Sequence, residues 1–266
     1  ARSAEVVIMN LGEPAYMSGE ARSRSEIGLP GLQLELLKEV YKVNKNIVLV
    51  LMNGRPLTIE WESENIPAIV EAWHLGSMAG HAIADVLSGK YNPSGKLTMS
   101  FPRSVGQIPV YYNHKMTGRP STGSNMVFYT HHMDVERSPR YPFGYGLSYS
   151  TFSYSPVTLI DSVKTAGTSI TAKVTVTNNS AADGEEVVQL YIRDVVGSIT
   201  RPVLELKGFQ KSMIKAGESK EFTFEITDEL LSFYRRDFSF GTEPGEFEVF
   251  VGPSSAQLQS ASFTLK

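Results

Sequence analysis

The hydrophobic pattern of residues 5–112 alternates between short continuous apolar runs and amphipathic stretches. Continuous runs of aliphatic residues are typical of buried parallel strands, and apolar positions on one helical face indicate helices. The predicted strands are residues 6–10, 47–52, 68–73 and 97–101. Two helices are predicted between these strands. The first carries Leu32, Leu36, Leu37 and Val40 on one face, and the second, at residues 77–87, is rich in Ala and Gly. The alternation predicts an α/β sandwich domain with a mainly parallel sheet.

From residue 157 onward the pattern changes to a period of two. Ile170, Ala172, Val174 and Val176 alternate with polar residues, as in a strand with one buried face. Further strands are predicted at residues 187–192, 222–226 and 247–251. Glycines at 184, 217 and 245 mark turns between them. About seven strands of this kind predict an all-β sandwich.

The stretch between these two patterns has little periodicity and is rich in turn residues. Its Gly and Pro positions are Gly118, Pro120, Gly123, Pro139 and Pro142. We interpret residues 113–155 as an ordered connector. The predicted organisation is therefore an α/β domain at 1–112, the connector at 113–155 and a β-sandwich at 156–266.

Composition restricts the classes of function. With 266 residues, 41% hydrophobic and 20% charged, the chain is long enough for two globular domains. Its net charge is −3 and its Lys and Arg residues are scattered, which argues against nucleic-acid or anionic-membrane partners and favours small neutral ligands. The absence of cysteine excludes disulfides and thiolate metal sites but leaves the compartment open. No signal peptide is expected at Ala1, and no apolar run approaches the ~20 residues of a membrane span.

The gap between the first predicted strand and its helix, residues 11–30, is much longer than the ~2 to 6 residues usual for such a connection. The next two strands end at NGR, residues 53–55, and at WHLG, residues 73–76. Ligands of parallel α/β sheets bind at the carboxyl ends of the strands. We therefore expect a shared site at that edge. Its candidate residues are Glu13, Glu20, Arg55, Trp73 and His74.

Three motifs give a more specific indication: YPFGYGLSY at 141–149, NPSGKL at 92–97 and FP at 101–102. Together they resemble the C-terminal half of glycoside hydrolase family 3, the β-glucosidase family, over nearly the whole chain. The resemblance implies part of an α/β sandwich domain followed by a fibronectin type III-like domain. We interpret residues 141–149 as a packing element between domains, in which Gly144 and Gly146 permit tight backbone approach.

In that family a retaining mechanism uses an aspartate nucleophile on an N-terminal TIM barrel and a glutamate acid/base on a loop of the α/β domain. The run GEPAYMSGEARSR at 12–24 is similar to this loop, and Glu20 is the residue that matches the acid/base. Composition alone favours a solvated glutamate, whereas loop length, position and resemblance favour catalysis. Glu13 is the other candidate for the acid/base. We predict instead that it binds substrate and braces the loop. Arg55 is predicted to reach substrate, with a solvated turn arginine as an equal alternative.

Other candidates carry weaker signals. Trp73 is suited to stacking on a sugar ring, but a tryptophan at a strand end favours a core role. His131 and His132, with Asp134 and Glu136 nearby, suggest a metal only weakly, so solvated loop histidines are the better interpretation. No metal and no cofactor are expected.

The resemblance therefore implies the C-terminal portion of a retaining β-glucosidase that hydrolyses terminal β-D-glucosyl residues. Its expected partners are β-glucosides or oligosaccharides and an N-terminal barrel domain, without which the chain is expected to be inactive. A periplasmic or extracellular location follows from the resemblance alone. The first strand is expected to start midway through the α/β domain and to leave a sheet edge open. The alternative is a non-catalytic carbohydrate-binding or interaction module.

Overall fold

The computed structural model describes residues 1–119 and 130–266, which form two compact units. The first unit contains Ala1–Tyr91, Ser100–Val110 and His132–Tyr141. The second contains Asn92–Met99, the described residues of Tyr111–His131, and Pro142–Lys266. The chain thus passes repeatedly from one unit to the other. Pro120 and Gly123 of the predicted connector lie outside the described residues, and the predicted boundaries at 112 and 155 stay predictions.

The first unit is built on a three-stranded parallel sheet in the order β1, β2, β3. Its strands are β1 Val7–Gly12, β2 Ile47–Met52 and β3 Ala68–Glu71, and its helices are α1 Gln33–Val43, α2 Glu60–Asn65 and α3 Ala79–Leu87. Short 3-10 turns lie at Ala15–Met17, Gly76–Met78 and Val105–Gln107. The central strand β2 is the most buried, as its continuous aliphatic sequence requires.

Two predictions for this unit are corrected by the structure. Residues 97–101 form no strand of the sheet; instead Leu97 pairs with Tyr145, and Phe101 forms an isolated bridge to Tyr141. The segment is apolar because Phe101 is a core side chain, not because a ladder continues through it. The buried face of α1 is also rotated from the predicted one: Leu37 is buried, while Leu36 is 53% exposed.

The edge strand β1 is covered on one face only. Met9 is buried, whereas the side chain of Ile8, which points to the opposite face, is 59% exposed. Parallel sheets are usually buried on both faces. Separately, the order β1, β2, β3 leaves the outer edge of β1 without a paired strand among the described residues, as the sequence predicts.

The second unit is a β-sandwich. One sheet has the order β6, β14, β13, β8, β9, and the other the order β10, β7, β4, with β5 also paired to β7. The strands of this unit are β4 Phe152–Tyr154, β5 Thr158–Leu159, β6 Val163–Lys164, β7 Ile170–Asn178, β8 Gly184–Asp194, β9 Glu205–Ile214, β10 Ser219–Ile226, β11 Phe233–Tyr234, β12 Phe240–Gly241, β13 Gly245–Ser254 and β14 Gln257–Leu265; the helix α4 is Asp228–Leu231. The hairpin of β11 and β12 is separate from both sheets.

The period-two pattern accounts for the sandwich core. The alternating apolar residues of β7 are all buried and meet Val188, Leu190 and Ile192 of β8 in one cluster. The β-sandwich predicted from residue 157 onward is therefore confirmed, and so is the α/β class of the preceding part.

The glycine-rich run at 142–149 packs tightly within the second unit. A Cβ atom on Gly144 would lie 2.1 Å from Gln189 Oε1, and one on Gly146 would lie 2.1 Å from the carbonyl oxygen of Gly95. The ring of Phe143 stacks on Tyr112 with centroids 4.3 Å apart. These contacts explain why the run needs glycines and aromatics, and they belong to packing rather than chemistry.

No helix among residues 1–119 and 130–266 is long and apolar enough to cross a membrane.

Candidate active site

The candidate site lies where the three parallel strands of the first unit end. We use the term rim for the three segments that follow or close these strands, residues 13–24, 53–55 and 71–74. Strand β1 ends at Gly12, in register with Met52 at the end of β2, and Glu71 of β3 is in register with Leu51. The strand ends therefore meet at one edge, as the sequence order predicts.

The end of β1 is fixed by the first helix. Gln33 of α1 accepts a hydrogen bond from Gly12 N–H at 2.8 Å and donates one to its carbonyl oxygen at 2.9 Å. Gly12 has φ of 138°, and a Cβ atom there would lie 2.0 Å from the carbonyl oxygen of Met52. A glycine is thus required where the chain leaves the sheet and enters the long loop.

Glu13 is the charged centre of the rim. Its side chain is fully buried, with Arg24 Nη1 at 2.6 Å and Arg55 Nε at 2.9 Å from Oε1. Oε2 accepts hydrogen bonds from Gly54 N–H and from the Ser18 hydroxyl, each at 3.3 Å. Both carboxylate oxygens are therefore saturated by contacts within the rim.

These contacts also determine the ionisation of Glu13. Burial acts to raise its pKa, but the hydrogen bonds from Arg24, Arg55 and the Gly54 amide outweigh burial and hold the pKa below its usual value. A carboxylate that stays ionised and fully paired is suited to bracing the loop. It is poorly suited to exchanging protons with a ligand.

Arg55 fastens the middle of the loop to the end of β2. In addition to binding Glu13, its Nη2 donates to the carbonyl oxygen of Met17 and, at 2.8 Å, to that of Arg22. Its side chain is only 22% exposed. Met17 and Arg22 lie on either side of Glu20, so a single guanidinium holds the backbone on both sides of the predicted acid/base.

Glu20 itself projects from the tip of this fastened loop and is exposed. Within the described part of the chain it makes no hydrogen bond or ion pair. Its neighbours Gly19 and Ala21 have φ of 115° and 58°. The left-handed conformation of Ala21 costs about 1 kcal/mol, a strain that is stored more often at functional sites than elsewhere. The part of the loop that Arg55 fastens thus presents the unpaired carboxyl group of Glu20 next to a strained residue.

The three rim segments meet at Gly54. A Cβ atom there would lie 2.1 Å from Ser18 Oγ of the first segment and 3.1 Å from His74 Nε2 of the third. Only a glycine lets both side chains approach the turn. The structure therefore brings Glu13, Arg55 and His74 together, as the strand order predicts.

A second polar cluster, which the sequence did not indicate, lies at the end of β3. Glu71 Oε1 accepts the Trp73 N–H at 3.0 Å, and Oε2 accepts from Asn53 Nδ2 at 3.3 Å. Burial raises the pKa of Glu71 to about 7, against the smaller opposing effect of these two hydrogen bonds. Trp73 has φ of 49°, and its ring packs on Phe101 with centroids 5.8 Å apart, consistent with the core interpretation.

The histidine pair lies away from the rim segments in sequence and is exposed. Glu136, one of the acidic residues near the pair, forms an ion pair with Arg103 at 2.8 Å. No group of three His, Asp or Glu side chains suitable for a metal comes together in residues 1–119 and 130–266.

Comparison with known proteins agrees with this architecture. Residues 1–149 match the model of the glycosyl hydrolase family 3 C-terminal domain, and residues 186–255 match that of a fibronectin type III-like domain. A periplasmic beta-glucosidase of Salmonella typhimurium is 47% identical over 266 residues, which are 100% of this chain and 35% of that protein. A beta-xylosidase of Formosa agariphila is 40% identical over 100% of this chain and 36% of that protein.

Solved structures give the same result. The beta-glucosidase from Listeria innocua, in a complex with glucose, superposes with a TM-score of 0.95 and is 44% identical over 99% of this chain and 37% of that one. The chain thus spans about a third of the length of the relatives it matches.

Proposed function

Because the chain belongs to glycosyl hydrolase family 3, we propose that it serves as the C-terminal part of a retaining β-glucosidase that removes terminal β-D-glucosyl residues. The relatives' names support a glycoside as substrate. This chain matches only about a third of the length of those relatives. We propose that the remaining two thirds corresponds to a barrel domain that supplies the aspartate nucleophile.

Glu20 is the proposed general acid/base. In a retaining mechanism its carboxylic acid protonates the glycosidic oxygen as the nucleophile attacks, and its carboxylate then deprotonates the water that releases the sugar. The observation that carries this role is the contrast with Glu13. The carboxylate of Glu13 is buried and paired with two arginines. That of Glu20 is exposed and unpaired, on a loop whose backbone carbonyls are bound by Arg55.

Glu13 and Arg55 contribute to this function through the loop. Their polar atoms are occupied by one another, by Arg24 and by loop carbonyls, which supports a bracing role. Direct contact of either residue with substrate stays a prediction. We also propose a periplasmic location, which is supported by the name of the Salmonella relative.

The test uses the full-length enzyme, by which we mean this chain preceded by its barrel domain. Glu20→Gln should lower kcat/KM severely for glucosides with poor leaving groups and little for 2,4-dinitrophenyl glucoside, because a good leaving group needs no proton. Added azide should restore deglycosylation. Glu26→Gln, an exposed glutamate of the same loop, is the matched control and should leave both rates unchanged.

Two results would contradict the proposal. The first is a Glu13→Gln variant that shows this leaving-group dependence and azide rescue while Glu20→Gln does not. The second is turnover of an aryl β-glucoside by the 266-residue chain alone, since one carboxylate without a nucleophile cannot carry out double displacement.

A further inference from the structure

We propose that Glu71 is a positioning residue for Glu20, which it orients through the turn formed by Asn53, Gly54 and Arg55. The inference rests on the proposed function, because it assigns Glu71 to the same acid/base step. It concerns a side chain that contacts neither Glu20 nor the loop that carries it.

The first link joins Glu71 to Asn53. The Asn53 side chain is completely buried, and its single NH2 group donates both to Glu71 Oε2 at 3.3 Å and to the Arg55 carbonyl oxygen at 2.9 Å. Its Oδ1 is buried and has no hydrogen-bond partner among the described residues. The amide is therefore held in place by these two acceptors, and removing one of them leaves a buried N–H without an acceptor, which favours a shift of the side chain.

The second link joins the turn to the loop. Asn53 holds the Arg55 carbonyl, while the Arg55 guanidinium binds Glu13 and the backbone carbonyls of Met17 and Arg22. Since Met17 and Arg22 lie on either side of Glu20, a shift of the turn displaces the loop on both sides of the acid/base. A displacement of about 1 Å at a reacting group can lower the rate about a hundredfold.

The third link passes through Trp73. Its φ of 49° is unfavourable for a bulky residue, and the hydrogen bond from its N–H to Glu71 Oε1 helps to hold this conformation. The next residue, His74, lies close to Gly54, with its Nε2 3.1 Å from where a Cβ atom on Gly54 would be. Glu71 thus acts on the turn in two ways. It binds the side chain of Asn53, and through the Trp73 N–H it holds the backbone that places His74 beside Gly54.

The ionisation of Glu71 supports this role. Its pKa is raised to about 7 by burial, so the carboxyl group gains or loses its proton near neutrality. The ionised form is the better acceptor for both of its donors. A half-buried carboxyl group with a pKa raised this far is more common at functional sites than elsewhere.

The experiment compares two substrates of the full-length enzyme: cellobiose, which has a poor leaving group, and 2,4-dinitrophenyl glucoside, which has a good one. The measured quantity is kcat/KM for cellobiose divided by kcat/KM for 2,4-dinitrophenyl glucoside. Glu71→Ala should lower this ratio about tenfold, because only the poor leaving group depends on a well-placed acid. Glu71→Gln retains one acceptor oxygen and should lower the ratio less. A variant that merely folds poorly reduces both rates equally, so the ratio does not change.

Glu62→Gln is the matched control. Glu62 is a buried carboxyl group of the first unit whose pKa is likewise raised by burial, but it lies in α2 and not on the rim. Its ratio should equal that of the wild type. If Glu71→Ala fails to fold, Glu71→Gln takes its place in this comparison, with a smaller expected fall in the ratio.

The outcomes separate the two proposals. If Glu20→Gln lowers the ratio and neither Glu71 variant does, the positioning role is overturned and the proposed function stands. If Glu20→Gln leaves the ratio unchanged, the proposed function fails, and the positioning role fails with it.

Discussion

Replacing Glu13 by Gln tests whether the loop is held by a buried charge. The substitution preserves the size of the side chain but removes the negative charge that two guanidiniums share. It also puts an NH2 group where Oε2 now accepts from Gly54 N–H and Arg55 Nε–H, or where Oε1 now accepts from Arg24. In either orientation, donors face donors in a buried space.

The magnitude follows from the exposure of the partners. Removing one member of a fully buried ion pair costs about 3 to 5 kcal/mol. Here Glu13 is fully buried, but Arg24 and Arg55 are 19% and 22% exposed, so water can partly solvate them after the substitution. We therefore expect a loss of about 2 to 4 kcal/mol from the first unit, at the lower side of the buried range.

The chain provides a selective probe for this measurement. Its two tryptophans, Trp61 and Trp73, both belong to the first unit, so tryptophan fluorescence follows the unfolding of that unit alone. With a urea slope of about 2 kcal/mol per M, the expected loss lowers the midpoint by about 1 to 2 M. Because the pKa of Glu13 is lowered in the folded state, this difference between wild type and variant should shrink as pH falls below about 4.5.

Glu62→Gln is again the control, and the sign of its effect should be opposite. Burial raises the pKa of Glu62, so removing its charge at pH 7 should be neutral or stabilising. A Glu13→Gln midpoint within error of that control would refute the reasoning, since the rim would then be held by backbone packing and not by the ion pairs.

Three further changes test other parts of the structure. Gly54→Ala should destabilise the first unit by about 1 to 3 kcal/mol, because its Cβ would overlap Ser18, and Ser18→Gly in the same chain should restore the urea midpoint. Because the pKa of Glu71 is about 7 in the folded state, the free energy of unfolding should fall by up to about 3 kcal/mol as pH rises from about 4.5 to above 7. Glu71→Gln should remove this dependence on pH. An unchanged dependence would show that the carboxyl group is not shielded from water as described. Phe143→Ala should cost the sandwich about 2 to 3 kcal/mol by far-UV circular dichroism, since its half-buried ring stacks on Tyr112; a tryptophan-detected midpoint that shifts as well would contradict an effect confined to that unit.

The elements with strong periodicity were predictable from sequence. Strand β2 and the alternating strand β7 have patterns that only one kind of burial satisfies, and both are found where expected. Short elements escaped prediction, as α2 shows: its six residues, Glu60–Asn65, are too few to display a helical period. The strand expected at residues 97–101 is absent because its backbone groups pair piecewise with Tyr145 and Tyr141.

The sequence predicts where the rim residues lie, but not which side chains they pair with. Strand order places Glu13, Arg55 and His74 at one edge, yet it does not reveal that Arg24 turns inward to pair with Glu13 instead of remaining solvated. Glu71 was missed for a related reason. Its proton affinity depends on burial and on Asn53, which is distant in sequence, so no local pattern signals it.

The repeated passage of the chain between its two units affects how a nascent polypeptide can fold. Asn92 hydrogen-bonds to the carbonyl oxygen of Asp183, 91 residues later, and Lys96 pairs with Glu186. At a synthesis rate of about 5 to 20 residues per second, this segment leaves the ribosome roughly 5 to 20 s before its partners do. The first unit likewise lacks its last segment until Tyr141 has emerged. During translation the chain therefore exposes unfinished surfaces for seconds, and surfaces of this kind are those that chaperones of nascent chains bind.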